Sequence, residues 1–372
     1  MALRILHFAD LHLGRGFSDY GEASGTLSEV RYKTLDKLII TANEKACDAV
    51  VVSGDLFDRT SMNKADVVRA IQSLNKFENG PVLLLPGNHD YITSDSKLWR
   101  YVSEAKEENV IVLDETSPVD LTHYDINAVI YPGPCNAKHS SENQVEWVKD
   151  IEKDVSKLHV GIAHGSVTGV APDFNDEHFP MTKDELKNAG VDLWLLGHIH
   201  VPWPDNPGGK DTILYSGTPE PDTANCPHKG TALVIEINEQ KNISIEKLTT
   251  GKYRFERWNH EVTSLEDLEK LAQKASDPDN AQCVCRLKLE GVLDPDDYES
   301  WVKSIYPTLN QSFLYLRINN NELRKRITKE QLYEIYPEES FPVQLLSGFI
   351  EGDDQEALQT AYDLLEEVKD EN

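Results

Sequence analysis

Five apolar runs in this chain stop abruptly in residues suited to holding cations. They end in Phe8-Ala9-Asp10-Leu11-His12, Gly54-Asp55-Leu56-Phe57-Asp58, Gly87-Asn88-His89-Asp90, Ala163-His164-Gly165 and Gly197-His198-Ile199-His200. Asn, His and Asp in succession at the mouth of a strand pack poorly, yet they can bind a cation and deliver a proton. One such ending would be noise, whereas five are a metal-site signal. In open α/β sheets the carboxyl ends of the strands form the ligand crevice, so five strand ends can converge on one site.

The pattern around these endings supports that architecture. Residues 4–9 and 48–53 read as buried strands, the second continuous and β-branched at Val50-Val51-Val52, as in a parallel sheet covered on both faces. Ser28 could cap a helix running to about residue 46, with Val30, Leu35, Leu38, Ile39 and Ala42 at helical spacing. A second, over 63–77, leads to a strand at 82–85, completing an α/β unit. Strands follow at 110–113, 126–131, 159–163 and 192–196, with an amphipathic helix over 140–155 and a short one over 183–189. From Thr212 onward the strands are short and paired, at 213–215, 230–237 and 243–248. Two mixed sheets packed face to face, with helices outside, are the expected result.

Composition and rhythm shift near Trp258. A helix over 264–275, capped by Ser264 with Asp267 three residues on, alternates with strands at 283–289 and 313–318 and a helix at 297–305. This makes a small α+β unit. Another helix starts over 328–336, and the final segment, 353–368, places Leu358, Ala361, Leu364, Leu365 and Val368 on one stripe. The domain limits read as 1–260, 261–327 and 328–372.

A hard divalent cation takes carboxylate, amide and imidazole ligands, and a pair of such ions takes a bridging carboxylate. Asp10, His12, Asp55 and His200 could hold one ion, and Asp55, Asn88, His164 and His198 the other. Two ions about 3.5–4 Å apart can orient a phosphodiester and provide hydroxide at neutral pH. His89 has no place in that set; it could protonate the leaving oxygen, with Asp90 to orient it.

Charge bears on the substrate. The chain has 372 residues and a net charge of −27. Residues 1–260 carry 26 basic and 39 acidic side chains, and residues 261–372 carry 11 and 25. This argues against a broad basic surface, and a phosphate-bearing substrate has to be held mainly by bound metal ions and a local basic patch, or by a partner subunit. No apolar run is long enough to span a membrane, the N-terminus lacks a signal-peptide cleavage pattern, and the five cysteines are scattered, so a reduced, cytoplasmic protein is expected.

These motifs resemble the calcineurin-like metallophosphoesterases, whose hallmarks are Asp-x-His, Gly-Asp, Gly-Asn-His-Asp, a lone His and Gly-His-x-His. Within them, Leu6-His7-Phe8-Ala9-Asp10-Leu11-His12-Leu13-Gly14, Ser53-Gly54-Asp55-Leu56-Phe57-Asp58 and Leu214-Tyr215-Ser216-Gly217-Thr218-Pro219 are similar to DNA-repair nucleases of the SbcD type. The motif resemblance covers roughly residues 4–235. It implies a four-layered α/β/β/α sandwich with a small α+β cap and C-terminal helices. Two manganese ions, exo- and endonucleolytic cleavage of DNA, a homodimer and an SMC-like ATPase partner of the SbcC type are implied with it. By motif, Asp10, His12, Asp55, Asn88, His164, His198 and His200 are ligands, and His89 is catalytic. Some relatives carry a second catalytic His where this chain has Asp58, so Asp58 is either catalytic or a structural hydrogen-bond partner of its loop.

Arg15, Arg31, Arg59, Lys64 and Arg100, near strand-end loops or helix starts, are candidate contacts to the DNA backbone. His7 reads as a supporting or core residue, and His123, His139, His159, His178, His228 and His260 match no motif. Two other readings remain open: a phosphodiesterase for a small molecule, cyclic nucleotide or phosphoprotein, and a DNA-end-binding scaffold with weak catalysis.

Overall fold

The computed structural model describes residues 3–170, 177–352 and 355–370. It divides into two compact units, Met1–Glu256 and Arg257–Asn372.

The first unit is built on two six-stranded sheets. In one, β1 (Leu3–Phe8), β2 (Ala49–Ser53), β3 (Val82–Leu85) and β4 (Val110–Val112) run parallel. In the other, β5 (Val119–Asp120) leads to β6 (Ala128–Gly133), β7 (Leu158–His164) and β8 (Leu193–Gly197), the last three parallel; β9 (Pro202–Trp203) and β10 (Ile213–Ser216) complete it. β11 (Thr231–Ile237) returns antiparallel to β1, and β12 (Ile243–Thr249) pairs with β11.

Alternation along the strands builds the layers. Leu6, Phe8, Val50, Val52 and Leu84 pack against helices α1 (Ala23–Glu44), α2 (Lys64–Leu74) and α3 (Lys97–Ala105). Their neighbours Ile5, Val51 and Leu83 meet Val160, Ile162, Leu193 and Leu195 of the second sheet. On the far side Tyr131, Trp194 and Leu196 are covered by Val145, Val148 and Leu186, the last from α4 (Lys183–Asn188). This is the α/β/β/α sandwich.

Two expectations change. The helix over 140–155 reduces to a 3-10 turn, Glu146–Asp150. Ser140 bridges to His178, while the side chains of Ser140 and Asn143 accept the N–H groups of Glu142 and Val145, competing with a helical ladder. The first helix begins at Ala23, so Ser28 lies inside it rather than capping it, and donates its hydroxyl to the Arg15 carbonyl.

In the second unit β13 (Arg254–Glu261), β14 (Cys283–Leu293) and β15 (Tyr315–Lys325) form a three-stranded sheet. Trp258, Cys283, Cys285, Leu287 and Leu289 line one face of it and pack with Leu268 and Leu271 of α5 (Leu265–Ala275) and with Trp301 and Leu309. The expected helix at 297–305 extends further, from α6 (Pro295–Ser300) through a π-helical turn, Trp301–Ile305, into α7 (Tyr306–Ser312). Helices α8 (Lys329–Ile335), α9 (Phe341–Glu351) and α10 (Gln355–Asp370) gather around Leu332, Val343, Leu346 and Leu358. In the terminal stripe Ala361 and Leu365 pack there, but Leu364 is exposed; the side chain of Val368 lies outside the described residues. No helix among the described residues is long and apolar enough to cross a membrane.

Candidate metal centre

Parallel pairing brings the carboxyl ends of β1, β2 and β3 to one edge, and those of β7 and β8 to the facing edge. The loops leaving them are stitched together by backbone bonds, Asp10 N–H to the Gly54 carbonyl, His12 N–H to Asp55 and Leu13 N–H to Leu56. Four of the expected ligands adopt positive φ: Asp10 at 58°, His12 at 46°, Asp55 at 52° and His198 at 111°. Such backbone costs about 1–3 kcal/mol per residue and persists only where its surroundings over-determine it. Here they do. Gly54 and Gly197 have no room for a side chain, since a Cβ would lie 2.3 Å from His164 Nδ1 at the first and 2.1 Å from the Ser53 carbonyl at the second.

The seven expected ligands meet. His164 Nε2 lies 3.0 Å from Asn88 Oδ1 and 3.4 Å from Asp55 Oδ2, and His198 Nδ1 lies 3.3 Å from Asn88 Oδ1. His12 Nε2 lies 3.5 Å from the same Asp55 Oδ2 and 3.1 Å from His200 Nε2. Donor atoms of Asp10, His12 and His200, and likewise of Asp10, Asp55 and His164, lie within 4.8 Å of one another. All but His198 and His200 are buried.

This donor set fits two cations. His200 Nδ1 sits 3.2 Å from Asp222 Oδ2 and His12 Nδ1 sits 3.5 Å from Asp58 Oδ1. With each Nδ1 facing a carboxylate, the two Nε2 lone pairs point at each other, an arrangement a cation between them resolves. His164 Nδ1 is likewise held, 2.8 Å from the Ser53 carbonyl, leaving its Nε2 for Asn88 and Asp55. Burial alone would raise the Asp55 carboxyl, but His164 and His12 hold it well below the usual carboxylate range. It is thus an anion at any ordinary pH.

Of the three residues expected in catalysis, His89 stands beside this set. Its Nδ1 lies 3.0 Å from the Asp58 carbonyl, its N–H donates to Asp55 Oδ1 at 2.8 Å, and its ring meets that of His12 edge-on at 4.7 Å. Asp90 does not orient it, contrary to expectation. The Asp90 carboxylate is fully buried and accepts the N–H groups of Gly87 (2.7 Å) and Phe57 (3.0 Å), tying the β2 and β3 loops together. The Asp58 carboxylate faces His12 and lies 3.8 Å from Arg15 and 3.7 Å from Arg59.

The expected DNA contacts disperse. Arg31 is fully buried and donates to the carbonyls of Leu11, Glu220 and Pro221, so it braces loops and cannot meet a ligand in solvent. Arg15 pairs with Asp222 at 3.0 Å; Arg59 is exposed and donates to the Gly14 carbonyl; Lys64 pairs with Glu104, and Arg100 lies beside Tyr101. His7 is buried with its Nε2 3.0 Å from Ser53 Oγ, and burial pushes it down to about 3, so it stays neutral.

Sequence reasoning missed Asp222, which lies in the loop six residues beyond the end of β10, whereas Asp10 and Asp55 lie two residues beyond their strands. Burial would raise its carboxyl, but His200 and Arg15 hold it well below the usual range. The carbonyl of His200 accepts from His228 Nε2 at 2.7 Å and Thr218 N–H at 3.1 Å, fixing the loop that presents it. The ring of His178 also lies 4.9 Å from that of His198. Asp222 faces His200 Nδ1 and so can position that ring, and Asp222→Asn is expected to weaken divalent-cation binding at His200 by roughly 10–100-fold. Calorimetric titration reads this as loss of one binding step, with recovery in Asp222→Glu.

A family model described as calcineurin-like phosphoesterase matches residues 3–202, more than half of the chain. The chain belongs to the calcineurin-like phosphoesterases, a family of phosphoester hydrolases. The uncharacterized metallophosphoesterase YhaO of Bacillus subtilis is 28% identical over 209 residues, covering 53% of this chain and 48% of its own. The DNA double-strand break repair protein Mre11 of Archaeoglobus fulgidus is 28% identical over 230 residues, covering 59% and 50%. That of Methanopyrus kandleri is 25% identical over 234 residues, covering 59% and 49%. The chain therefore spans about half the length of the curated relatives it matches.

Proposed function

We propose that this calcineurin-like phosphoesterase is a manganese-dependent exo- and endonuclease of the SbcD type. It hydrolyses DNA phosphodiesters for end processing, repair or defence, acting in the cytoplasm as a homodimer with an SMC-like ATPase of the SbcC type. In this reading residues 1–260 are the nuclease domain and residues 261–327 a cap. Residues 328–372 bind the partner, with Tyr333, Ile335 and Phe341 exposed for the purpose.

The observation that carries the reading is Asp55 Oδ2, 3.5 Å from His12 Nε2 and 3.4 Å from His164 Nε2, so that this one carboxylate would be within reach of ligands to both ions. Asp10, His12, Asp55 and His200 would hold one ion, and Asp55, Asn88, His164 and His198 the other. The ions would supply Lewis acidity toward the phosphoryl oxygens and toward water. His89, with Nδ1 at the Asp58 carbonyl, keeps Nε2 for the proton of the leaving oxygen. Asp58 steadies His12 and draws Arg15 and Arg59 to the mouth of the site, and Asp90 keeps the two loops in register. The relatives named for double-strand break repair support DNA as the substrate.

One assay panel tests this. With Mn²⁺, linear duplex, single-stranded and hairpin DNA are offered beside bis-p-nitrophenyl phosphate, with and without an SMC-like ATPase. Cleavage of DNA is expected. Turnover of the small diester without any DNA cleavage would instead favour a small-molecule phosphodiesterase, and binding of metal and DNA without turnover a scaffold.

A further inference from the structure

The sheet of the second unit has one face covered by helices; on the other, Phe255 and Val284 are buried, and the stretch next to them along the strands is exposed. Arg257, Arg286 and Arg317 stand exposed on that stretch, one on each strand, and line a single shallow depression of about 220 Å³ with Asn259, Asn319 and Lys288. Arg286 and Arg317 are register partners on adjacent parallel strands. Like charges set side by side this way destabilise a sheet, so folding alone gives no reason for the row.

The surrounding chain offers ample means of neutralising it. Residues 257–372 carry 25 acidic side chains against 12 basic ones. Yet among the described residues no carboxylate lies within ion-pairing distance of any of the three guanidiniums. Lys288 differs, for its ammonium is taken up by Glu290 at 2.9 Å and Glu322 at 2.8 Å. Among the described residues, the cations of this depression left without a carboxylate partner are therefore the three arginines.

We propose that this exposed stretch binds the phosphate backbone of DNA, separately from the metal centre. Adjacent strands lie about 4.8 Å apart, so the row spans roughly 10 Å, enough to meet two or three successive phosphates. Guanidinium forks suit phosphate oxygens in bidentate geometry, and Asn259 and Asn319 add neutral donors beside them. The depression is flat and presents no aromatic ring for base stacking, so the contact reads backbone charge, not sequence. The proposal rests on DNA being the substrate.

The test uses the full chain and its triple variant Arg257→Gln, Arg286→Gln, Arg317→Gln, with Arg286→Gln alone as a milder partner. Anisotropy of labelled single-stranded and duplex oligonucleotides is followed across salt in EDTA, where bound metal contributes nothing. The slope of log affinity against log salt is expected to fall by about 2–3 in the triple variant and by about 1 or less in the single one. Melting temperature should hold or rise as like charges are removed, and Mn²⁺-dependent turnover of bis-p-nitrophenyl phosphate should not change. Unchanged affinity and slope would overturn the proposal, as would polyglutamate displacing DNA at equal charge concentration, which would assign the face to an acidic protein. Loss of small-diester turnover in the wild type, with the arginine dependence intact, would instead remove the proposed enzyme activity and leave this face standing.

Discussion

Exchanging Asp55 for asparagine is expected to cost the protein both cations and at least about 10³-fold in phosphodiester hydrolysis. The two oxygens of Asp55 do different things. Oδ2 faces His12 and His164, while Oδ1 accepts the His89 N–H at 2.8 Å. Asparagine keeps the size but removes the charge, and its amide has to turn either a nitrogen toward the ligands or a nitrogen toward a backbone donor. Both arrangements fail. Metal content by mass spectrometry should fall below the two ions per chain expected of the wild type, and the rise in melting temperature expected on adding Mn²⁺ should vanish. An unchanged far-ultraviolet dichroism spectrum separates this from unfolding.

His89→Ala is expected to act in the opposite pattern, lowering hydrolysis by about 10²–10⁴-fold with both ions retained. A ring nitrogen of His89 lies within 4.8 Å of an Asp55 carboxylate oxygen and of a His12 ring nitrogen, but the hydrogen bond to Asp55 comes from the backbone N–H, and alanine keeps it. What disappears is an imidazole held at its Nδ1 by the Asp58 carbonyl. A diester whose leaving group needs no proton, such as bis-p-nitrophenyl phosphate, should suffer far less than DNA. Equal losses on both, or loss of an ion, would mean that His89 does not act through the leaving oxygen.

Much of this centre was legible because its ligands advertise themselves locally. Each follows an apolar run, and parallel pairing then carries strand ends to one edge, so order along the chain was enough to pair His12 with His200 across 188 residues of separation. Residues that act through tertiary backbone contacts were not legible. Arg31 occupies a helix position that reads as solvated charge, yet it serves a carbonyl 20 residues away and two others 189 and 190 away. Asp90 looks like a partner for the histidine beside it, but two loop N–H groups claim its carboxylate first. The helix expected over 140–155 failed for a related reason, since short polar side chains there bind the nearby backbone.

Diffraction from a crystal grown with Mn²⁺, measured at the manganese absorption edge, tests the two-ion centre most directly. Two anomalous peaks about 3.5–4 Å apart are expected, with Asp55 reaching both, His12 and His200 on one side, and Asn88, His164 and His198 on the other. No peak among these side chains, or a single ion that leaves Asp55 untouched, would contradict it.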